Sequence, residues 1–115
     1  MGRGQKHVSQ VYTAFVDHPE AKILIDTGMD LSLLPEQRVR AWMPQQSQDQ
    51  RIDNALRALG VMPEDIDIIV NTHLHIDHCS YNRLFKKATW LIQKEEYIEA
   101  ITRRGREESF GVPIY

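Results

Sequence analysis

A single cysteine, Cys79, excludes an intrachain disulfide, so the stability of this chain must come from packing. No apolar run approaches the roughly 20 residues that a membrane-spanning helix requires, and the first residues lack the apolar core of a secretory leader. A cytoplasmic setting without a membrane partner is the resulting expectation. An excess of one charge is also missing. Fourteen Lys and Arg stand against 16 Asp and Glu, which leaves no basic field to attract a polyanion and disfavours nucleic acid as a specific partner. Neither an internal repeat nor a low-complexity tract is found, which removes repeat arrays from the possible architectures.

What is present describes one small globular unit. With 115 residues and 42% apolar content, the chain is expected to form a single domain, residues 1–115, around a modest core. Residues 1–6 lack periodicity and read as a frayed end. Residues 8–16 are rich in β-formers, Asp17-His18-Pro19-Glu20 supplies turn chemistry, and Lys22-Ile23-Leu24-Ile25 follows. A hairpin is expected there, with His18 exposed at its tip.

Residues 29–50, with Pro35, Pro44 and Gln45-Gln46-Ser47-Gln48, read as a long irregular loop in which Trp42 and Met43 either cover a pocket or pack on the core. Residues 51–59 are the clearest helix. Ile52, Ala55, Leu56 and Leu59 recur at helical spacing, Asp49 can cap the helix and Gly60 stops it. The run Ile66-Asp67-Ile68-Ile69-Val70 predicts a buried strand. A short helix is expected at 80–85, a strand at 88–93, and an amphipathic helix at 94–101 with Tyr97, Ile98 and Ile101. Helix, turn and strand in that order make an α/β unit.

The densest chemistry follows the buried run: His73-Leu74-His75-Ile76-Asp77-His78 holds three of the five histidines. In an extended backbone side chains two apart point the same way, which places His73, His75 and Asp77 on one face. His78 joins them if the chain turns at Asp77. Imidazole nitrogens and a carboxylate are donors that zinc accepts at about 2.0–2.2 Å. One ion does not suit all four, because adjacent Asp77 and His78 leave the backbone in different directions. The natural division gives His73 and His75 to one metal and Asp77 and His78 to a second, about 3.5–4 Å away, as in two-metal hydrolytic centres. A mononuclear or structural metal site, or a solvated histidine-rich loop, are the plainer readings. Cys79 reads as a small packed residue more readily than as a ligand. In Asp26-Thr27-Gly28, Asp26 either accepts a hydrogen bond from a ligand imidazole and fixes its tautomer, or simply forms the turn.

Asp26-Thr27-Gly28-Met29 after a strand, the histidine motif, and Ile92-Gln93-Lys94-Glu95-Glu96-Tyr97 together resemble the metallo-β-lactamase superfamily, and within it the N-acyl homoserine lactonases. The resemblance spans about residues 22–101. It implies the N-terminal half of an αββα sandwich, an α/β architecture with its metal site at the edge between two sheets. It also implies two zinc ions, one on His73 and His75 and one on Asp77 and His78, with Asp26 supporting the site from behind.

The reaction implied is lactone ring opening by a metal-bound hydroxide, with Asp77 carrying the proton to the leaving alkoxide. The substrate is then a small-molecule lactone or ester. Further family ligands, a histidine, a bridging aspartate and a last histidine, together with a substrate-binding tyrosine, have no counterpart here. The resemblance therefore implies a truncated or fragmentary copy, or a piece that needs a partner, with a homo-oligomer or a completing chain as the candidate partners. Where the family often has small, glycine-containing residues after the motif, this chain has Cys79-Ser80-Tyr81. The alternatives are the same fold acting on another ester, a thioester, a phosphodiester or a β-lactam, or a non-catalytic metal-binding fragment.

Overall fold

A computed structural model describes residues 4–103, so the expectation of a frayed start at residues 1–6 falls partly outside the described residues. The hairpin forms from Ala14–His18 (β1) and Ala21–Ile25 (β2), antiparallel, with Ala14 opposite Ile25 and His18 opposite Ala21. The first strand begins at 14 rather than 8. β2 ends at Ile25, so residues 8–13 have no partner in the ladder, and an unpaired strand leaves its backbone groups to water. Ile68–Val70 (β3) adds parallel to β2, and Thr89–Leu91 (β4) adds parallel to β3, giving the order β1-β2-β3-β4.

The two faces of this sheet differ. Phe15, Leu24, Ile69 and Trp90 are in register across the four strands. They face a core of Ile52, Leu56, Val61, Ile66, Tyr81 and Phe85. On the opposite face the rows Ala14-Ile25-Val70-Leu91 and Val16-Ile23-Ile68-Thr89 run across the same strands. There Val16 is 40% and Leu91 50% exposed, and the four residues of β2 and β3 are only half-buried. An almost wholly apolar sheet face is thus left without a covering layer among the described residues, and a surface of that kind marks an interaction site or an aggregation hazard.

The segment at 29–50 is not a plain loop. It holds a 3-10 turn at Leu31–Leu33, a helix Glu36–Trp42 (α1) and a second 3-10 turn at Gln48–Gln50. α1 buries no residue, so no hydrophobic period announces it. It rests on Pro35 at its start, whose fixed φ suits a helix entry, and on an ion pair between Glu36 and Arg40 one turn apart. Trp42 and Met43 are exposed, and the Arg38 guanidinium lies 5.3 Å from the Trp42 ring centre.

The helix expected at 51–59 is Ile52–Ala58 (α2), buried through Ile52 and Leu56. Leu59 is 66% exposed and lies past the helix end. Asp49 does not cap it. The capping position is Arg51, and Asp53 in the first turn pairs with Arg51 and Arg57 at 3.3 Å each. Gly60, at φ +75°, takes the left-handed conformation that ends the helix.

The short helix expected at 80–85 begins earlier, at Ile76–Cys79 (α3), and is followed by a 3-10 turn at Asn82–Leu84. Lys94–Arg103 forms α4. Its expected apolar stripe, Tyr97, Ile98 and Ile101, lies exposed, whereas Ala100 packs toward a second small core of Leu34, Leu74, Ile76 and Cys79. No described helix is long and apolar enough to cross a membrane.

Candidate metal centre

The site sits where β2 and β3 end side by side. The bend expected at Asp77 comes earlier, because β3 stops at Val70 and His75, still extended, is the residue at the helix entry. The His75 carbonyl accepts the amides of His78 at 2.9 Å and Cys79 at 3.2 Å, which closes the first turn of α3. Asp77 and His78 therefore project from a helical turn, while His73 reaches them from the preceding loop. Donor atoms of His73, Asp77 and His78 lie within 4.8 Å of one another, all half-buried. His75 is exposed, and its ring meets that of His73 edge-on at 4.7 Å between centroids. His73 and His78 are closer, at 4.1 Å. The structure thus groups His73 with Asp77 and His78, and leaves His75 just outside.

Asp26 organises the cluster from beneath. It is 4% exposed and adopts φ +60°, a left-handed conformation that costs a non-glycine residue roughly 1 kcal/mol or more. What holds it there is a full set of bonds. The Asp26 amide donates to the Val70 carbonyl at 2.8 Å, and the Thr72 amide donates to Asp26 Oδ1 at 2.8 Å. The Thr72 hydroxyl donates to Asp26 Oδ2 at 2.7 Å, and His78 Nδ1 lies 3.0 Å from the same oxygen.

A neutral His78 that donates from Nδ1 to Asp26 presents the lone pair of Nε2, and that atom faces Asp77 Oδ2 at 3.3 Å. Two acceptors aimed at each other need a cation or a proton between them, so the donor set fits a metal ion.

Thr72 was not singled out by the motif, yet it extends the same control. Its one hydroxyl proton goes to Asp26, so toward His73 Nδ1, 3.0 Å away, it can only accept. That tautomer leaves His73 Nε2 as the available donor. Glu96 of α4 was likewise missed, and its carboxylate accepts the Leu74 amide at 2.9 Å, between the two histidines. Position directly before the motif was the one signal for Thr72. Glu96 stood in the segment that carries the family resemblance, but its role depends on a contact 22 residues away.

Two further ties fix the turn after β2. The Thr27 amide donates to the His78 carbonyl at 2.8 Å, and Gly28, at φ +81°, bridges to Cys79. Burial would push the Asp30 carboxyl up, but bonds from Ser32 and Arg83 outweigh it and hold the group below its ordinary value. Cys79 is fully buried and its thiol donates to the His75 carbonyl at 3.2 Å. Burial first, then the nearby Asp26, Asp77 and Glu96, pushes this thiol up to about 12, so it stays protonated and acts as packing.

A partly covered α/β sheet with converging histidine and aspartate donors at its strand ends is the framework of a metal-site protein. The chain belongs to the metallo-beta-lactamase superfamily, whose family model matches residues 8–112. It is 30% identical over 100 residues to the N-acyl homoserine lactonase AiiA of Bacillus thuringiensis subsp. kurstaki, covering 81% of this chain and 40% of that one. It is 29% identical over 107 residues to the N-acyl homoserine lactonase AttM of Agrobacterium fabrum, covering 88% and 41%. Among solved structures it resembles an N-acyl homoserine lactone hydrolase holding the product N-hexanoyl-L-homoserine at its catalytic metal centre. That match has a TM-score of 0.70 at 29% identity, over 86% of this chain and 41% of that one. The chain thus spans about 40% of the length of the curated relatives it matches.

Proposed function

We propose that this chain is the metal-binding part of a hydrolase that opens N-acyl homoserine lactones, and that zinc is its metal. The observation that carries the reading is the convergence of His73, Asp77 and His78 over a carboxylate, Asp26, that fixes how they point. Similarity to lactonases in sequence and structure supports the substrate class.

In the chain by itself the geometry favours one ion on His73, Asp77 and His78. A second ion, with His75 among its ligands, calls for donors from elsewhere in the working protein. The uncovered sheet face supports a further layer in that protein, whether from the same polypeptide or from a completing chain. Residues 1–115 are read as part of one hydrolase domain.

Zinc bound there supplies Lewis-acid polarisation of the lactone carbonyl and a more acidic water. The chain's own residues do the rest. Asp26 and Thr72 hold the two imidazoles in the tautomers that leave the Nε2 lone pairs available. The Asp77 carboxylate, partly exposed, takes the proton that the attacking water loses and returns it to the ring oxygen as the C–O bond breaks. The product is an open hydroxy acid.

A chimera tests the reading. Residues 8–112 replace the matching portion of an N-acyl homoserine lactonase, and ring opening of N-hexanoyl homoserine lactone is followed by chromatography. The folded, zinc-loaded chimera should open the lactone, and Asp77→Asn should lower its kcat by about 100-fold or more. A folded, loaded chimera that leaves lactones intact but cleaves a thioester, phosphodiester or β-lactam would move the assignment to that substrate. Normal turnover by the Asp77→Asn chimera would remove the proton-transfer role.

A further inference from the structure

Beneath the metal centre lie three polar side chains that the proposed chemistry does not use. Thr27 and Asn82 are completely buried and Asn71 is 3% exposed. They come from three separate segments, the turns after β2 and β3 and the 3-10 turn after α3. Asn82 Nδ2 donates to Asn71 Oδ1 at 2.7 Å and Asn71 Nδ2 returns a bond to Asn82 Oδ1 at 3.3 Å, so the two amides pair reciprocally. The Thr27 hydroxyl donates to the same Asn82 oxygen at 2.9 Å. Among the described residues, no buried side-chain polar atom lacks a partner.

Burying two amides and a hydroxyl offers no stability advantage over apolar groups of the same shape. What a reciprocal amide pair adds is direction, since two bonds in one plane fix both distance and rotation in a way that apolar contacts do not. Each member stands next to a part of the site. Thr27 follows Asp26, Asn71 precedes Thr72 and His73, and Asn82 lies one turn beyond His78.

We infer that the Asn71–Asn82 amide pair, with Thr27, is a positioning device that sets the loop carrying His73 against the helical turn carrying Asp77 and His78. The inference rests on reading those three residues as metal ligands. Asn82 and Asn71 act through the backbone they anchor and touch neither metal nor substrate.

The double variant Asn71→Leu/Asn82→Leu replaces the pair with groups of similar volume, and Thr27→Val removes one bond while disturbing the core least. Zinc affinity is measured by chelator competition and site geometry by the visible spectrum of the cobalt-loaded chain. The His78 Nδ1–H signal is measured by proton–nitrogen NMR on the metal-free chain, with urea unfolding as the control. The double variant leaves the buried Thr27 hydroxyl without its acceptor, so it should fold with a urea midpoint somewhat below that of the unsubstituted chain. It should also bind zinc about 10- to 100-fold more weakly, show an altered cobalt spectrum and lose the protected His78 Nδ1–H signal. Thr27→Val should shift the same readouts several-fold, and Thr27→Ser should restore them.

Variants with lower stability but an unchanged zinc affinity, cobalt spectrum and His78 signal would overturn the inference, because a merely structural network behaves that way. If the unsubstituted chain takes up no cobalt, the metal reading fails. The NMR signal then still decides whether the amide pair positions His78. Should the double variant not fold, Thr27→Val and Thr27→Ser decide on the same three readouts.

Discussion

Asp26→Ala is expected to destabilise the chain by about 2–4 kcal/mol and to remove measurable zinc binding. The carboxylate accepts from the Thr72 amide, the Thr72 hydroxyl and His78 Nδ1, and alanine accepts from none of them. Bonds to a charged acceptor are worth about 1.5–3 kcal/mol each when buried, but Thr72 is exposed and regains water, so the sum falls well short of three full bonds. Backbone strain is the second part. At φ +60° alanine keeps the left-handed penalty without the bonds that offset it, so Asp26→Gly should be about 1 kcal/mol more stable than Asp26→Ala. Asp26→Asn keeps one acceptor and tolerates the backbone, and should lose about 1–2 kcal/mol with a 10- to 100-fold drop in zinc affinity. Thr72→Val should fall between Asp26→Asn and the unsubstituted chain in affinity. Urea unfolding followed by tryptophan fluorescence checks the stabilities, and chelator competition the affinities. Equal affinity in the Asn variant and the unsubstituted chain would show that Asp26 is only a turn residue.

The second large effect concerns which histidines grip the ion. Three of the four motif donors converge within 4.8 Å, so His78→Ala and His73→Ala should each weaken zinc binding about 100-fold, the scale of one ligand among three or four. His75→Ala should change it less than about threefold, since that ring is exposed and outside the converging set. Isothermal titration of each variant measures this directly. A His75→Ala loss as large as that of His73→Ala would instead pair those two residues on one ion in the chain by itself.

These expectations could be framed early because the chemistry is local. Three histidines and an aspartate within six positions can converge wherever the backbone bends, and the apolar run before them already announced a strand. The hairpin was legible for the same reason, with β-formers on either side of Asp17-His18-Pro19-Glu20, and α2 showed its period through Ile52 and Leu56. Other features were hidden by the physics that makes them. α1 buries nothing and so leaves no hydrophobic period, and β1 is shortened by the length of its partner rather than by its own residues.

The place of the bend was misread because an extended chain beyond Val70 looks the same whether or not it is paired. β4 closes beside β3 at Leu91, and the Leu91 carbonyl accepts the Asn71 amide as the strands part. The supporting residues Thr72, Asn71 and Asn82 work through partners as far as 55 residues away. No local pattern encodes such a contact.

Zinc K-edge absorption on the loaded, folded chain tests the central claim most directly. A first shell of nitrogen and oxygen at about 2.0–2.2 Å, with the outer scattering of at least two imidazoles and no sulfur, is the predicted result. A sulfur shell near 2.3 Å, or a chain that circular dichroism shows to be folded yet takes up no zinc, would contradict it.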